Sequence, residues 1–270
     1  VAVGLPQYDD LPATDNGRVR IYFGGPAGLP TTPGDEHIEI DAGARFGGAL
    51  ASAGDVNGDG CADLVVGAPG YSGIVSTAGG AYLFRGRCRG GQEADFDWVT
   101  SGLQQLSAYG AVVAAAGDLN GDGFADVVVG APAYANGELG EGRVYVYLGE
   151  PGAEPPGFPP SNAWVSEGDQ SGGAWGASVA SAGDVNGDGY ADLVVGAPLY
   201  DKGETDEGAA FLYLGSEAGL GPDAVPGTVP VWFVEGNQAG ALLGSAVAGA
   251  GDVNGDGYDA VLVGASGYVN

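Results

Sequence analysis

One nine-residue pattern, Asp-x-Asn-x-Asp-Gly-x-x-Asp, returns through this chain at near-constant intervals and limits what it can fold into. It reads Asp184-Val185-Asn186-Gly187-Asp188-Gly189-Tyr190-Ala191-Asp192 in one copy, recurs from Asp55 and Asp118, and returns from Asp252 with one departure. The first Asp of each copy lies 63, 66 and 68 residues after the one before. Asp184, Asn186 and Asp188 stand two apart, so a curled loop aims three side-chain oxygens at one point. Gly187 and Gly189 permit the backbone angles such a curl needs. The carbonyl of Tyr190 and the carboxylate of Asp192 then complete an all-oxygen shell. Such hard ligands suit Ca²⁺, which takes about 6–8 oxygens. No Cys or His falls within this loop, which argues against zinc. The alternative is an Asp/Asn/Gly-rich turn without an ion; four copies in phase favour calcium. An EF-hand would carry Glu at its twelfth position between helices. Here the twelfth position of the first loop is Val66, after apolar Leu64 and Val65. The expected site is therefore strand-loop-strand.

Around each loop the same parts recur. A large apolar residue and Gly come first (Phe46-Gly47, Tyr109-Gly110, Trp175-Gly176, Leu243-Gly244), followed by a small-residue strand. After the loop comes an apolar strand closing on Val-Gly-Ala-Pro or a variant, with Tyr two residues on. An aromatic-rich strand ending in Gly and a short strand marked by Trp98, Trp164 or Trp232 follow. The sequence predicts an all-β chain of four-stranded antiparallel units of about 65 residues, cut within a repeat at both ends. The expected boundaries are a partial repeat over 1–43, repeats over about 44–105, 106–171 and 172–239, and a partial repeat over 240–270. Helical periodicity is absent, and Gly and Pro punctuate every segment. Such units bury their faces only against one another, which is the logic of a β-propeller; a β-solenoid has shorter repeats. The Trp positions, being in phase, read as packing between blades.

Composition narrows the partners. With 35 acidic against 8 basic side chains and a net charge of −27, the surface repels nucleic acid and anionic lipid. No apolar run is long enough to insert into a membrane. Acidity, scarce Lys and a Cys61–Cys88 pair within one repeat point to a secreted or cell-surface protein with an intra-repeat disulfide, two buried thiols being the alternative. The chain begins at Val1 and contains no Met, which reads as a processed product or a piece of something longer. His37, the one histidine, reads as a solvated surface residue. Arg85, Arg87 and Arg89 read as a solvated turn.

The large-residue-Gly and Gly-Ala-Pro elements around this loop resemble the FG-GAP repeat of integrin α-subunit β-propellers, and the resemblance spans essentially the whole chain. It implies calcium in hairpin loops on one face, stiffening blades, with partners bound elsewhere. The implied side-chain ligands are Asp55, Asn57, Asp59 and Asp63; Asp118, Asn120, Asp122 and Asp126; and Asp184, Asn186, Asp188 and Asp192. Asp252, Asn254 and Asp256 serve a fourth loop, and Cys61, Phe124, Tyr190 and Tyr258 offer carbonyls. In that fourth loop Ala260 takes the ninth position and Asp259 the eighth. Neighbours in a strand point to opposite faces, so Asp259 is expected to aim away and the site to be weaker. The family's propellers have seven blades, more than this chain encodes.

The expected function is a calcium-binding extracellular adhesion or protein-interaction module, not an enzyme. It would bind a protein or glycan on the propeller surface, with self-association through the open ends as a further route. The alternatives are the accessory propeller of a secreted hydrolase, or a self-assembling structural unit. No Gly-x-Ser-x-Gly element is present, which weighs against a serine hydrolase within the chain.

Overall fold

The computed structural model describes residues 1–10, 14–39, 41–86, 98–150, 164–220 and 230–269. Among these there is no helix, and the strands form five antiparallel sheets. The first sheet joins β1 (Ala2–Leu5), β2 (Arg18–Ile21) and β3 (Asp35–Ile38). Three four-stranded sheets follow: β4 (Ala49–Gly54), β5 (Asp63–Ala68), β6 (Gly80–Phe84) and β7 (Trp98–Ser101); β8 (Val112–Gly117), β9 (Asp126–Ala131), β10 (Arg143–Tyr147) and β11 (Trp164–Glu167); β12 (Ser178–Gly183), β13 (Asp192–Ala197), β14 (Ala209–Tyr213) and β15 (Trp232–Glu235). The last sheet pairs β16 (Leu243–Gly251) with β17 (Ala260–Ala265). Every strand pairs with its neighbour in sequence, so each sheet is a meander. The sheets stand side by side as propeller blades, with β4, β8, β12 and β16 adjacent in that order.

The apolar strands β9 and β13 are buried along their whole length. Their near-continuous Val, Leu, Gly and Ala reflect cover on both faces rather than an alternating half-buried pattern. Just before each acidic loop the register slips at a bulge, between Ser52 and Gly54, Ala115 and Gly117, Ser181 and Gly183, and Gly249 and Gly251. The glycine at each bulge has φ near +68° to +85°, a conformation that costs glycine little and turns the chain into the loop.

The seams between blades explain why two glycines recur. A Cβ built on Gly4, Gly67, Gly130 or Gly196 would lie closer than 3.0 Å to the carbonyl oxygen of Gly47, Gly110, Gly176 or Gly244 in the next blade. The glycine after the large residue and the glycine of the apolar strand thus meet across every such seam, backbone against backbone. The large residue anchors the same joint: the N–H of Phe46, Tyr109, Trp175 and Leu243 donates to the carbonyl of Asn16, Ala78, Glu141 and Glu207 at 2.9–3.1 Å.

Aromatic packing fills the remaining space. Trp98 meets Tyr147 edge-on at 5.0 Å and Trp164 meets Tyr213 at 5.1 Å, each pair bridging two blades. Both tryptophans are buried, whereas Trp232 on β15 is exposed. A cavity of about 410 Å³ opens between the first two sheets, lined by Ile21, Phe23, Leu50 and Phe84 among others.

Two expectations are corrected. Trp232, read with the other tryptophans as packing between blades, is 39% exposed on β15. His37 is largely covered rather than solvated: its ring packs on Phe84 at 4.6 Å, with Nε2 3.3 Å from Asp35. Register explains it, because β3 pairs with β2 and turns His37 inward beside the second blade. Cys88, Arg87 and Arg89 lie outside the described residues, and with them the Cys61–Cys88 pairing and the arginine turn.

The seam glycines predict an asymmetric outcome. Gly130→Ala forces a methyl into the carbonyl of Gly176 and should cost about 1–3 kcal/mol, as other overpacked cores do. Gly264→Ala, whose nearest atoms lie 3.6 Å away, should leave stability nearly unchanged. Urea unfolding of the two variants measures the difference; equal stability would dismiss the seam account.

Candidate metal centre

The acidic loops join β4 to β5, β8 to β9, β12 to β13 and β16 to β17, so all four sit at the same end of their blades. Each is organised by its own side chains. In the first, Asp55 accepts from the N–H groups of Gly58, Asp59 and Gly60 at 2.8–3.1 Å. Asn57 accepts from Asp59 at 2.9 Å, and Asp59 from Cys61 at 2.8 Å. The pattern repeats with Asp118, Asn120 and Asp122, with Asp184, Asn186 and Asp188, and with Asp252, Asn254 and Asp256. These short polar side chains compete successfully for local backbone donors, so the loop's own hydrogen bonds support the curl.

The ninth position does something the sequence reading missed. Asp63, Asp126 and Asp192 are at most 2% exposed. One oxygen of each accepts from the second loop residue (Val56, Leu119, Val185) at 2.7–3.0 Å. The other accepts from the glycine after the aromatic strand (Gly86, Gly149, Gly215) at 2.8–2.9 Å. This carboxylate therefore braces the loop to the third strand of its own blade. Burial raises all three above the usual carboxylate range, the backbone donors oppose the rise, and the loop's other two Asp add to it. Asp126 is pushed up to about 7.

The donor set fits a hard cation. Each complete loop gathers three carboxylates and one amide, and a carboxylate oxygen that accepts one hydrogen bond retains a lone pair. The raised carboxylates mark a place where positive charge would be welcome. In loops two to four the Asn amide also donates to the fifth-position Asp at 2.8–2.9 Å. The carboxylates of one loop are not drawn into a tight trio. Among the described residues, the acidic group with oxygens all within 4.8 Å of one another is Glu141, Glu167 and Asp169 instead. Arg143 pairs with Glu167 there and lies over the Tyr134 ring, so that group already holds its own positive charge.

Two in-phase features at the opposite end of the blades also escaped the sequence reading. Glu141 and Glu207 are buried and accept from the backbone N–H of Asn136 and of Lys202. The recurring Glu-Gly before the aromatic strand was their signal. Gln104, Gln170 and Gln238 each use both ends of the amide to clamp a backbone 31 residues ahead, at Ala135, Asp201 and Val269.

The fourth loop differs as its sequence does. Ala260 offers no brace, and Asp259 turns away from its own loop to the third, where its carboxylate accepts the Asp184 N–H at 2.9 Å.

Position nine thus predicts a structural phenotype separate from ion binding. Asp126→Ala strands two buried N–H groups and should cost roughly 2–4 kcal/mol in chelator-treated protein. Asn120→Ala, at a partly exposed position that strands no buried group, should cost under about 0.5 kcal/mol there. Denaturant titration in chelator reads both; comparable losses would refute the brace.

Three segments, 46–84, 109–147 and 175–213, match the FG-GAP repeat family. Integrin alpha-5 of Xenopus laevis is 36% identical over 173 residues, covering 62% of this chain and 15% of that protein. Integrin alpha-PS2 of Drosophila melanogaster is 33% identical over 224 residues, covering 78% and 14%. Phosphatidylinositol-glycan-specific phospholipase D of Bos taurus is 34% identical over 215 residues, covering 76% and 25%. The chain thus spans a quarter or less of the length of these relatives. Each matched segment runs from the large residue at a seam, through an acidic loop, to the end of an aromatic strand, so it contains both seam glycines and the bracing carboxylate. The chain is an FG-GAP repeat protein whose repeats are similar to those of integrin α-subunits.

Proposed function

We propose that this chain is an extracellular interaction module whose blades are stapled by Ca²⁺ at the acidic loops and whose opposite end binds a protein partner. The observation that carries the reading is the repeated loop, in which Asp, Asn and Asp side chains are curled by their own backbone over a buried, raised carboxylate. Asp55, Asn57, Asp59 and Asp63 would hold one ion, and their counterparts from Asp118 and Asp184 two more. Bound calcium would supply positive charge beside a buried carboxylate that the loop's other two Asp now push upward. The fourth loop, without a ninth carboxylate, is the weakest. The Cys61–Cys88 disulfide belongs to the same reading, because an oxidising compartment is also calcium-rich.

The partner surface is proposed at the other end of the blades. There Ile74, Leu103, Leu106 and Leu139 are exposed on loops joined to one another through backbone bonds. Leu106 donates to Thr77 at 2.9 Å and Gly172 to Leu139 at 2.7 Å, while Gln104 clamps Ala135. Exposed apolar side chains on a fixed platform suit a protein partner. The bovine phospholipase D supports a second reading, the same module beside a catalytic domain. His37, the one histidine, packs on Phe84 with its Nε2 3.3 Å from Asp35.

At a dissociation constant of ~10⁻⁴ M and ~2 mM external calcium, each site would add roughly 1.8 kcal/mol. Chelator-stripped protein should therefore bind three ions firmly and melt well above its ion-free temperature once calcium is restored. Ala260→Asp should strengthen a fourth. Equilibrium dialysis and calorimetry decide the matter: no binding and no shift would reduce the loops to turns.

A further inference from the structure

Consecutive loops are joined head to tail across the seams. The eighth residue of each following loop donates its N–H to the carbonyl of the first Asp of the loop before: Ala125 to Asp55, Ala191 to Asp118 and Asp259 to Asp184, at 2.9–3.0 Å. The seventh residue lays its ring over the fourth-position glycine of that earlier loop: Phe124 over Gly58, Tyr190 over Gly121, Tyr258 over Gly187. At two of these seams the eighth residue is Ala, which has nothing more to offer. At the third it is Asp259, and its carboxylate also accepts the Asp184 N–H at 2.9 Å. Both backbone polar groups of Asp184 are therefore held by one residue of the next blade. Asp184 in turn gathers Gly187, Asp188 and Gly189 with its side chain.

We infer that Asp259 is a positioning residue for the third loop's cation site, not a ligand of its own loop. The acidic residue displaced from position nine in loop four serves its neighbour: it fixes the backbone of the first ligand before any ion arrives. Less ordering then remains to be done on binding, and a nearby negative charge favours the cation further. The third site should accordingly be tighter than the second, which has the same four side-chain ligands but Ala191 at the clasp. The inference rests on the proposed cation reading.

Terbium separates the two. Tyr190 and Tyr258 occupy the seventh positions of loops three and four, while Cys61 and Phe124 occupy those of loops one and two. In a Tyr258→Phe background, which keeps the ring over Gly187, Tyr190 sensitises terbium in loop three and, through its ring over Gly121, in loop two. Adding Asp122→Ala, which removes a loop-two ligand, leaves an emission that reports on loop three. Asp259→Ala should weaken that binding at least about fivefold, the scale of one charge-assisted hydrogen bond. Asp259→Asn, which retains an oxygen acceptor, should stay within about twofold of the parent. Ion-free melting temperatures should fall in the same order. No terbium or calcium binding by the parent would overturn the cation reading itself. Normal parental binding that is unchanged in Asp259→Ala, or lost equally in both variants, would overturn the positioning role alone.

Discussion

The structure depends on backbone meeting backbone across the blade seams. An apolar strand of one blade must pass so close to the next that its glycine Cα rests on a glycine carbonyl, and any side chain there would hold the blades apart. Everything else at the seam follows from that approach. The large residue before one glycine can donate its N–H across the joint, and Trp98 and Trp164 can reach the aromatic strand of the following blade. A single blade alone would leave the apolar faces of strands such as β9 and β13 open to water; the seams turn several blades into one cohesive body. Glycine's entropic cost on folding is the penalty for this closeness, and it is offset by burial of strands such as β9 and β13 on both faces.

The acidic loops act on the same seams from one end. Their first residue holds the loop together through its carboxylate and joins the following blade through its carbonyl. The second does likewise: the Val56 carbonyl accepts from Glu150, and that of Leu119 from Ser216, in the following blade. A cation that fixed those loops would fix blade orientation as well as hairpin shape. This gives a mechanical meaning to placing charge-rich loops so near the axis strands. A loop serving only to reverse the chain would need neither a buried carboxylate nor bonds into a neighbour.

Much of this was legible in the sequence because repetition is. In-phase recurrence of the loop, the large-residue-Gly pair and the Trp strand identified strands, meander order and blades. What was not legible lies in three dimensions. Nothing in the spacing says that Asp126 turns both oxygens to backbone donors, one of them 23 residues ahead at Gly149. His37 was misread because its neighbours Glu36 and Glu39 gave a charged local context, while its cover comes from Phe84 in another blade. Glu141 and the Gln104 series were visible as in-phase letters, but a polar residue in a glycine-rich loop carries no mark of burial until its acceptors and donors are placed.

The departure at loop four shows what such repeats permit. Moving one acidic residue from the ninth to the eighth position reverses its face, and in an isolated hairpin that would only lose a brace. In a row of abutting blades the reversed face is itself occupied, by the backbone of the preceding loop. The displaced carboxylate finds the Asp184 N–H, and a change that weakens one loop supports another. Neighbouring repeats therefore cannot be scored one at a time. The consequence of a substitution depends on which blade stands behind it, and the eighth position, silent as Ala in two seams, is where the loops are able to act on each other.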